Sequence, residues 1–154
     1  MKVFINPGHD KEHDSGAVNP NSGLRECDVA AEVGALVVDY LEAAGCECRI
    51  LQSDNLAGES EYPDRQGQTV CGDANDWEAD VVVSIHCNAA NCVARGTEVE
   101  CYDADSGNDG AQLAQCIKSQ IVDALGTTDR GIKSRPGLLV LRQTDMPAVL
   151  VETA

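Results

Sequence analysis

The stretch Ala79 to His86, ADVVVSIH, constrains the fold more than any other part of this chain. It is a continuous run of β-branched and apolar residues, without the polar alternation of a strand that wets one face. Such a run belongs in the middle of a sheet covered on both sides, and in soluble proteins that setting is a mostly parallel sheet clad by helices. Its last residue, His86, then lies at the carboxyl end of a central strand, where open α/β sheets present their ligand crevices.

The remaining segments supply the helices and strands this demands. Residues 2–6 form a short buried strand stopped by Pro7-Gly8, and the polar loop that follows, to Gly23, is long enough to expect function or mobility of it. From Arg25 to Ala44 the apolar residues Val29, Ala30, Val33, Val37, Tyr40, Leu41 and Ala44 recur at three and four, an amphipathic helix closed by Gly45. Residues 46–52 predict a second strand, the acidic loop 54–64 a solvated surface, and residues 61–75 a weaker helix. GTEVECYD (96–103) alternates as a neighbouring strand would, and residues 109–125 carry a helix through Leu113, Ile117, Ile121 and Leu125. Two closing strands are expected at 138–142 and 148–152, separated by the turn TDMP. The pattern predicts one three-layer α/β domain, a mostly parallel twisted sheet of about six strands with helices on both faces, over the whole of 1–154.

Composition narrows the partners. With 11 basic against 26 acidic residues the formal charge is −15, which repels phosphate backbones and anionic membrane surfaces, so neither nucleic acid nor membrane is an expected partner. No apolar run approaches the roughly 20 residues a membrane helix needs. The strand pattern begins directly after Met1, so no signal peptide is expected. One Phe and one Trp leave the core to Val, Ile, Leu and Ala. The eight cysteines include no CxxC pair, and without an export signal they are expected to be mostly reduced thiols. A monomer is expected.

Three side chains suit a hydrolytic metal site, which commonly takes three protein ligands and leaves a position for water. His9 follows the first strand, His86 ends the central one, and Glu26 lies in the first turn of the 25–44 helix. If strands 2–6 and 80–85 are parallel neighbours, both histidines emerge on one sheet edge and the helix can bring Glu26 over it. Glu152, after four apolar residues, sits at the end of the last strand as a candidate proton carrier. Each has a plainer explanation: a loop histidine, a strand-end histidine, an acid favoured by the helix dipole, a buried strand-end acid. His13, four residues after His9, is a rival ligand whose plainer reading is a solvated loop residue. Cys87 adjoins His86, but successive strand residues face opposite ways.

Taken together, INPGHDKEHDSGAV, GLRECDVAAEVGALVVDYLEAAG, Arg65 followed by CGDAN, VVVSIHCNA and RGIKSRPGLLVLRQTDMPAVLVETA resemble, in order and over essentially the whole chain, the zinc-dependent N-acetylmuramoyl-L-alanine amidases of the type-3 amidase family. The resemblance implies one Zn²⁺ held by His9, Glu26 and His86, with Glu152 as catalytic acid/base. It implies hydrolysis of the amide between the lactyl group of N-acetylmuramic acid and the L-alanine of the stem peptide, with peptidoglycan as substrate. Asn88 and Arg142 flank these motifs as candidate substrate contacts. Another zinc peptidase or deacylase acting on wall peptides, or an inactive wall-binding module, is the alternative. Site of action would be the bacterial cell wall, reached as a phage endolysin, a sporulation enzyme or autolysin, or a catalytic fragment. Two departures stand out: Asp10 replaces the glycine that commonly follows the first histidine, and members usually continue past the glutamate with a final helix where this chain has Ala154.

Overall fold

A computed structural model describes residues 1–88 and 95–153, apart from the side chain of Arg65. Six strands, β1 (Lys2–Pro7), β2 (Glu47–Ile50), β3 (Val81–Cys87), β4 (Thr97–Cys101), β5 (Asp129–Ser134) and β6 (Ala148–Thr153), form one sheet in the order β2-β1-β3-β6-β4-β5. All neighbours are parallel except β4 and β6. The expected parallel pairing of β1 with β3 is present, with Pro7 opposite Ile85.

Alternation along the strands sorts the core into two faces. Val3, Ile5 and Ile85 pack under α1 (Glu26–Ala43), and Val99, Cys101, Val149 and Val151 pack under α3 (Asp109–Leu125). Glycines in the left-handed region, Gly45 (φ 87°) and Gly126 (φ 64°), stop these two helices, and the Asn108 side chain caps the start of α3 by accepting from the Ala111 amide. On the opposite face Phe4, Val82, Ala148 and Leu150 are covered by α2 (Val70–Asp76) and α4 (Leu139–Arg142). These two helices together are shorter than α3, and they shield only β1, β3 and β6. Over β4 and β5 that face carries Glu98 and Glu100 in place of apolar residues.

Four expectations need correction. Residues 139–142 form α4 and not a strand, because Val140 and Leu141, with half-buried Leu138 before them, pack against Val70, Ala74 and Ala148. The helix expected over 61–75 is a 3₁₀ turn at Pro63–Arg65 and the later, shorter α2, whose Thr69 cap accepts from the Gly72 amide. The strand 97–101 is separated from β3 by β6, and runs antiparallel to it. The acidic loop 54–64 is organised about buried Asn55, whose Oδ1 accepts from the Gly58 amide at 2.8 Å and whose Nδ2 donates to the Gln68 carbonyl at 3.1 Å. No helix among the described residues is long and apolar enough to cross a membrane.

Candidate metal centre

Three strand ends and one helix start converge at the carboxyl edge of the sheet. β1 delivers Pro7-Gly8 and then His9, whose φ of 65° is an uncommon conformation for a residue with a side chain. β3 delivers His86, and directly opposite it in register on β6 stands Glu152. Glu26, in the first turn of α1, is buried beneath both imidazoles.

The Glu26 carboxylate is fixed from four directions. Its Oε1 lies 3.2 Å from His86 Nδ1 and accepts from the Cys87 amide at 2.9 Å. Its Oε2 lies 3.2 Å from His9 Nε2 and accepts from the Ala17 amide at 3.0 Å. Burial works to raise its pKa, but His86, His9 and the two amides outweigh that and hold it well below the ordinary carboxylate range. Next to it, Glu26 drives the His9 imidazole up to about 9 despite burial, with Asp14 adding to the effect.

The donor set meets the requirements of a zinc ion. One donor atom from each of His9, Glu26 and His86 lies within 4.8 Å of the other two. Tetrahedral ligands at about 2.0–2.1 Å stand roughly 3.3 Å apart, and both imidazole-to-carboxylate separations are close to that. The His9 ring is also oriented as a ligand ring would be, since its Nδ1 is 2.8 Å from Asp14 Oδ2, leaving Nε2 to face Glu26. Two glycines make room for the rings: a Cβ on Gly8 would lie 2.4–2.6 Å from His86 ring atoms, and one on Gly16 would lie 2.5 Å from the His9 ring and 2.8 Å from Glu26 Oε2.

Glu152 has the environment of a proton carrier. Burial first, then the negative charges of Glu26, Glu100 and Glu98, push its carboxyl up to about 7. Its Oε2 is buried with no hydrogen-bond partner among the described residues. An acid poised near neutrality beside a metal site can take up a proton and release it again. Beside the histidines a cavity of about 180 Å³ opens, lined by Leu56, Leu138, Leu139 and Leu150 over polar Asn6 and Ser84.

The other candidates fall as follows. Asn88 follows β3, its amide bonded to the Thr153 carbonyl at 2.9 Å and its side chain reaching Gly96 O at 3.5 Å, so it ties strand ends together two residues from His86. Arg142 is exposed at the far end of α4; Leu139 faces His9, whereas Leu141 packs with Pro147 and Ala148 at the opposite edge of the sheet. His13 is half-buried in its loop: its ring stacks on Tyr62 with centroids 3.9 Å apart, and Nε2 is 3.1 Å from Asp64. Burial, with Glu26 and Glu152 nearby, pushes the Cys87 thiol up to about 11, away from the thiolate a metal binds. Asp10 accepts from the Glu12 and His13 amides and closes the turn that returns Asp14 to His9. Asp14 and Gly8 were the residues sequence reasoning passed over. The one available signal was the carboxylate five positions after His9. Arg65 lies outside the described side chains.

Residues 3–154 match the family described as N-acetylmuramoyl-L-alanine amidase. Two Bacillus subtilis relatives align over nearly the whole chain: the uncharacterized protein YqiI, 35% identical over 150 residues (97% of this chain, 68% of the relative), and the N-acetylmuramoyl-L-alanine amidase LytC, 32% identical over 153 residues (99% of this chain, 29% of the relative). This chain thus spans about two thirds of one relative and under a third of the other. Among solved structures, the N-acetylmuramoyl-L-alanine amidase AmiC2 of Nostoc punctiforme superposes with a TM-score of 0.79 at 32% identity, covering 99% of this chain and 78% of that one.

Proposed function

This chain belongs to the N-acetylmuramoyl-L-alanine amidase family, and on that footing we propose that residues 1–154 are a zinc-dependent catalytic domain that hydrolyses the amide between the lactyl group of N-acetylmuramic acid and the L-alanine of the peptidoglycan stem peptide. The observation that carries this reading is the placement of Glu152, whose buried Oε2 has no partner among the described residues, one strand away from a His9–Glu26–His86 donor set.

His9 Nε2, one or both Glu26 oxygens and His86 Nδ1 would hold the ion. A bound Zn²⁺ supplies Lewis acidity for the scissile carbonyl and lowers the pKa of its water towards about 7. The protein's own contribution is positional. Asp14 fixes the His9 ring, the Ala17 and Cys87 amides fix Glu26, and Gly8 and Gly16 leave the space in which both rings sit. Glu152 accepts the proton of the attacking water and passes it to the alanine nitrogen, which leaves as an amine. The setting is the bacterial cell wall, with peptidoglycan as the partner that matters.

The test is digestion of purified peptidoglycan while new L-alanine amino termini are counted, with wild type, chelator-treated protein and Glu152→Gln side by side. The expected result is termini from the metal-replete wild type alone. A folded, zinc-loaded wild type that releases none would refute the substrate assignment.

A further inference from the structure

Beyond Glu152, the same face of the sheet carries a strip of charged residues. Glu98, directly opposite Glu152 in the antiparallel register, and Glu100, two residues on, project to the same side of the sheet and are both buried. Buried carboxylates require partners, and β5 with the residue after it provides them. Arg130 Nε and Lys133 Nζ both reach Glu98 Oε2, at 3.0 and 3.5 Å, and Arg135 Nε reaches Glu100 Oε1 at 2.9 Å. Glu98 thus shares one oxygen between two cations, which stand beside the catalytic edge of a chain whose net charge is −15. The three cationic side chains keep 33–52% of their surface exposed.

The chemistry gives this strip a direction. Glu152 hands its proton to the leaving nitrogen, so the amine half of the substrate must lie on the Glu152 side of the metal centre, and the acyl half on the side of His9 and the leucine-lined cavity. Past Glu152 the next strands are β4 and then β5, each about 4.8 Å further along. One extended residue spans roughly 3.5 Å, so the second residue of the stem peptide arrives over Glu98, Arg130 and Lys133.

We propose that Lys133, with Arg130 held beside it on Glu98, is a specificity-determining contact for a carboxylate on the second stem-peptide residue, the D-glutamate that follows L-alanine. This rests on the amidase reading above. Glu98 serves as the anchor: it draws both cations down on to the sheet, and because they share one of its oxygens Lys133 keeps charge and N–H donors for a second carboxylate.

Two muramoyl dipeptides with the D-glutamate γ-carboxyl capped as an amide, one with the α-carboxylate free and one with it amidated, isolate that charge. Zinc-loaded wild type is expected to favour the free acid in kcat/KM by about fivefold, the scale of a partly exposed ion pair, with the difference lying in KM. Lys133→Met and Lys133→Gln, checked for native circular dichroism, are expected to bring the ratio close to one. Raising salt should shrink the wild-type ratio, which a merely structural Lys133 would not do. Equal rates on the two substrates by wild type, or an unchanged ratio in both variants, overturns the proposal while the amidase reading stands. Cleavage of neither substrate by zinc-loaded wild type overturns both.

Discussion

Gly8→Ala is the sharpest probe of the metal centre, because the added methyl has one consequence. The Gly8 backbone is not in the left-handed region, so alanine adds no conformational strain there. The new Cβ would lie 2.4 Å from His86 Cε1 and 2.6 Å from both ring nitrogens. Comfortable carbon contacts begin near 3.5 Å, so the ring must retreat by roughly 1 Å or more. Metal–ligand distances tolerate only about 0.2 Å. His86 is therefore lost as a ligand while His9 and Glu26 remain, a change on the order of 100-fold in zinc affinity, or about 2.7 kcal/mol. Competition against a chromophoric chelator measures the affinity, and thermal unfolding of the metal-free protein checks the fold. Gly137→Ala, where a Cβ would meet nothing within 4 Å, is the matched control. If Gly8→Ala binds zinc within about twofold of wild type and melts at the same temperature, His86 is not a ligand in this orientation and the argument fails.

Four further expectations follow, three from the same geometry and one from the net charge. Asp14→Asn removes the charge that orients His9 and should weaken zinc binding by about 10–100-fold with little change in metal-free melting temperature; an unaltered affinity would remove Asp14 from the site. Glu152→Gln should keep zinc but lose roughly 10²–10⁴-fold in turnover. In the metal-free protein, Glu152 has a folded pKa of about 7 against an ordinary 4.5, so its protonated form favours the fold and that contribution fades as pH rises from about 4.5 through 7. Glu152→Gln should then match wild type near pH 4.5 and melt above it at pH 8, and a gap independent of pH would contradict the cause assigned to the shift. Finally, a chain of charge −15 acting on anionic wall polymers should digest them faster as salt rises from about 10 to 150 mM and the screening length shortens from about 30 to 8 Å; flat or falling rates would count against it.

The sequence disclosed most where one physical signal dominated. β3 was legible because an unbroken apolar run has few homes, and α1 and α3 because their periodicity ends at glycines that adopt positive φ. Histidines at strand ends and an acid in a first turn were enough to nominate the donor set, once β1 and β3 were taken as parallel neighbours. What stayed hidden depended on contacts between distant segments. DRGIKS gives no strand pattern, since β5 is an edge strand with a register shift whose cations serve Glu98 across the sheet. LLVLR has strand composition but is bent into one helical turn by the packing of Val140 and Leu141 on α2. The link from Asp14 to His9 exists only because Asp10 closes the turn between them.

Trp77 gives the fold a practical property. The single indole lies at the amino-terminal edge of the sheet, tilted against Phe4 with ring centroids 6.4 Å apart, with Arg49 4.8 Å and Lys2 Nζ 5.6 Å from its ring. His86 is most of a strand away, about 20 Å at 3.3 Å per residue. Intrinsic fluorescence therefore reports collapse of the Phe4–Val82–Leu150 core and is blind to what happens at the carboxyl edge. Emission excited at 295 nm should stay fixed through a zinc titration and shift only when the sheet comes apart, so one optical channel follows global unfolding free of interference from occupancy of the metal centre.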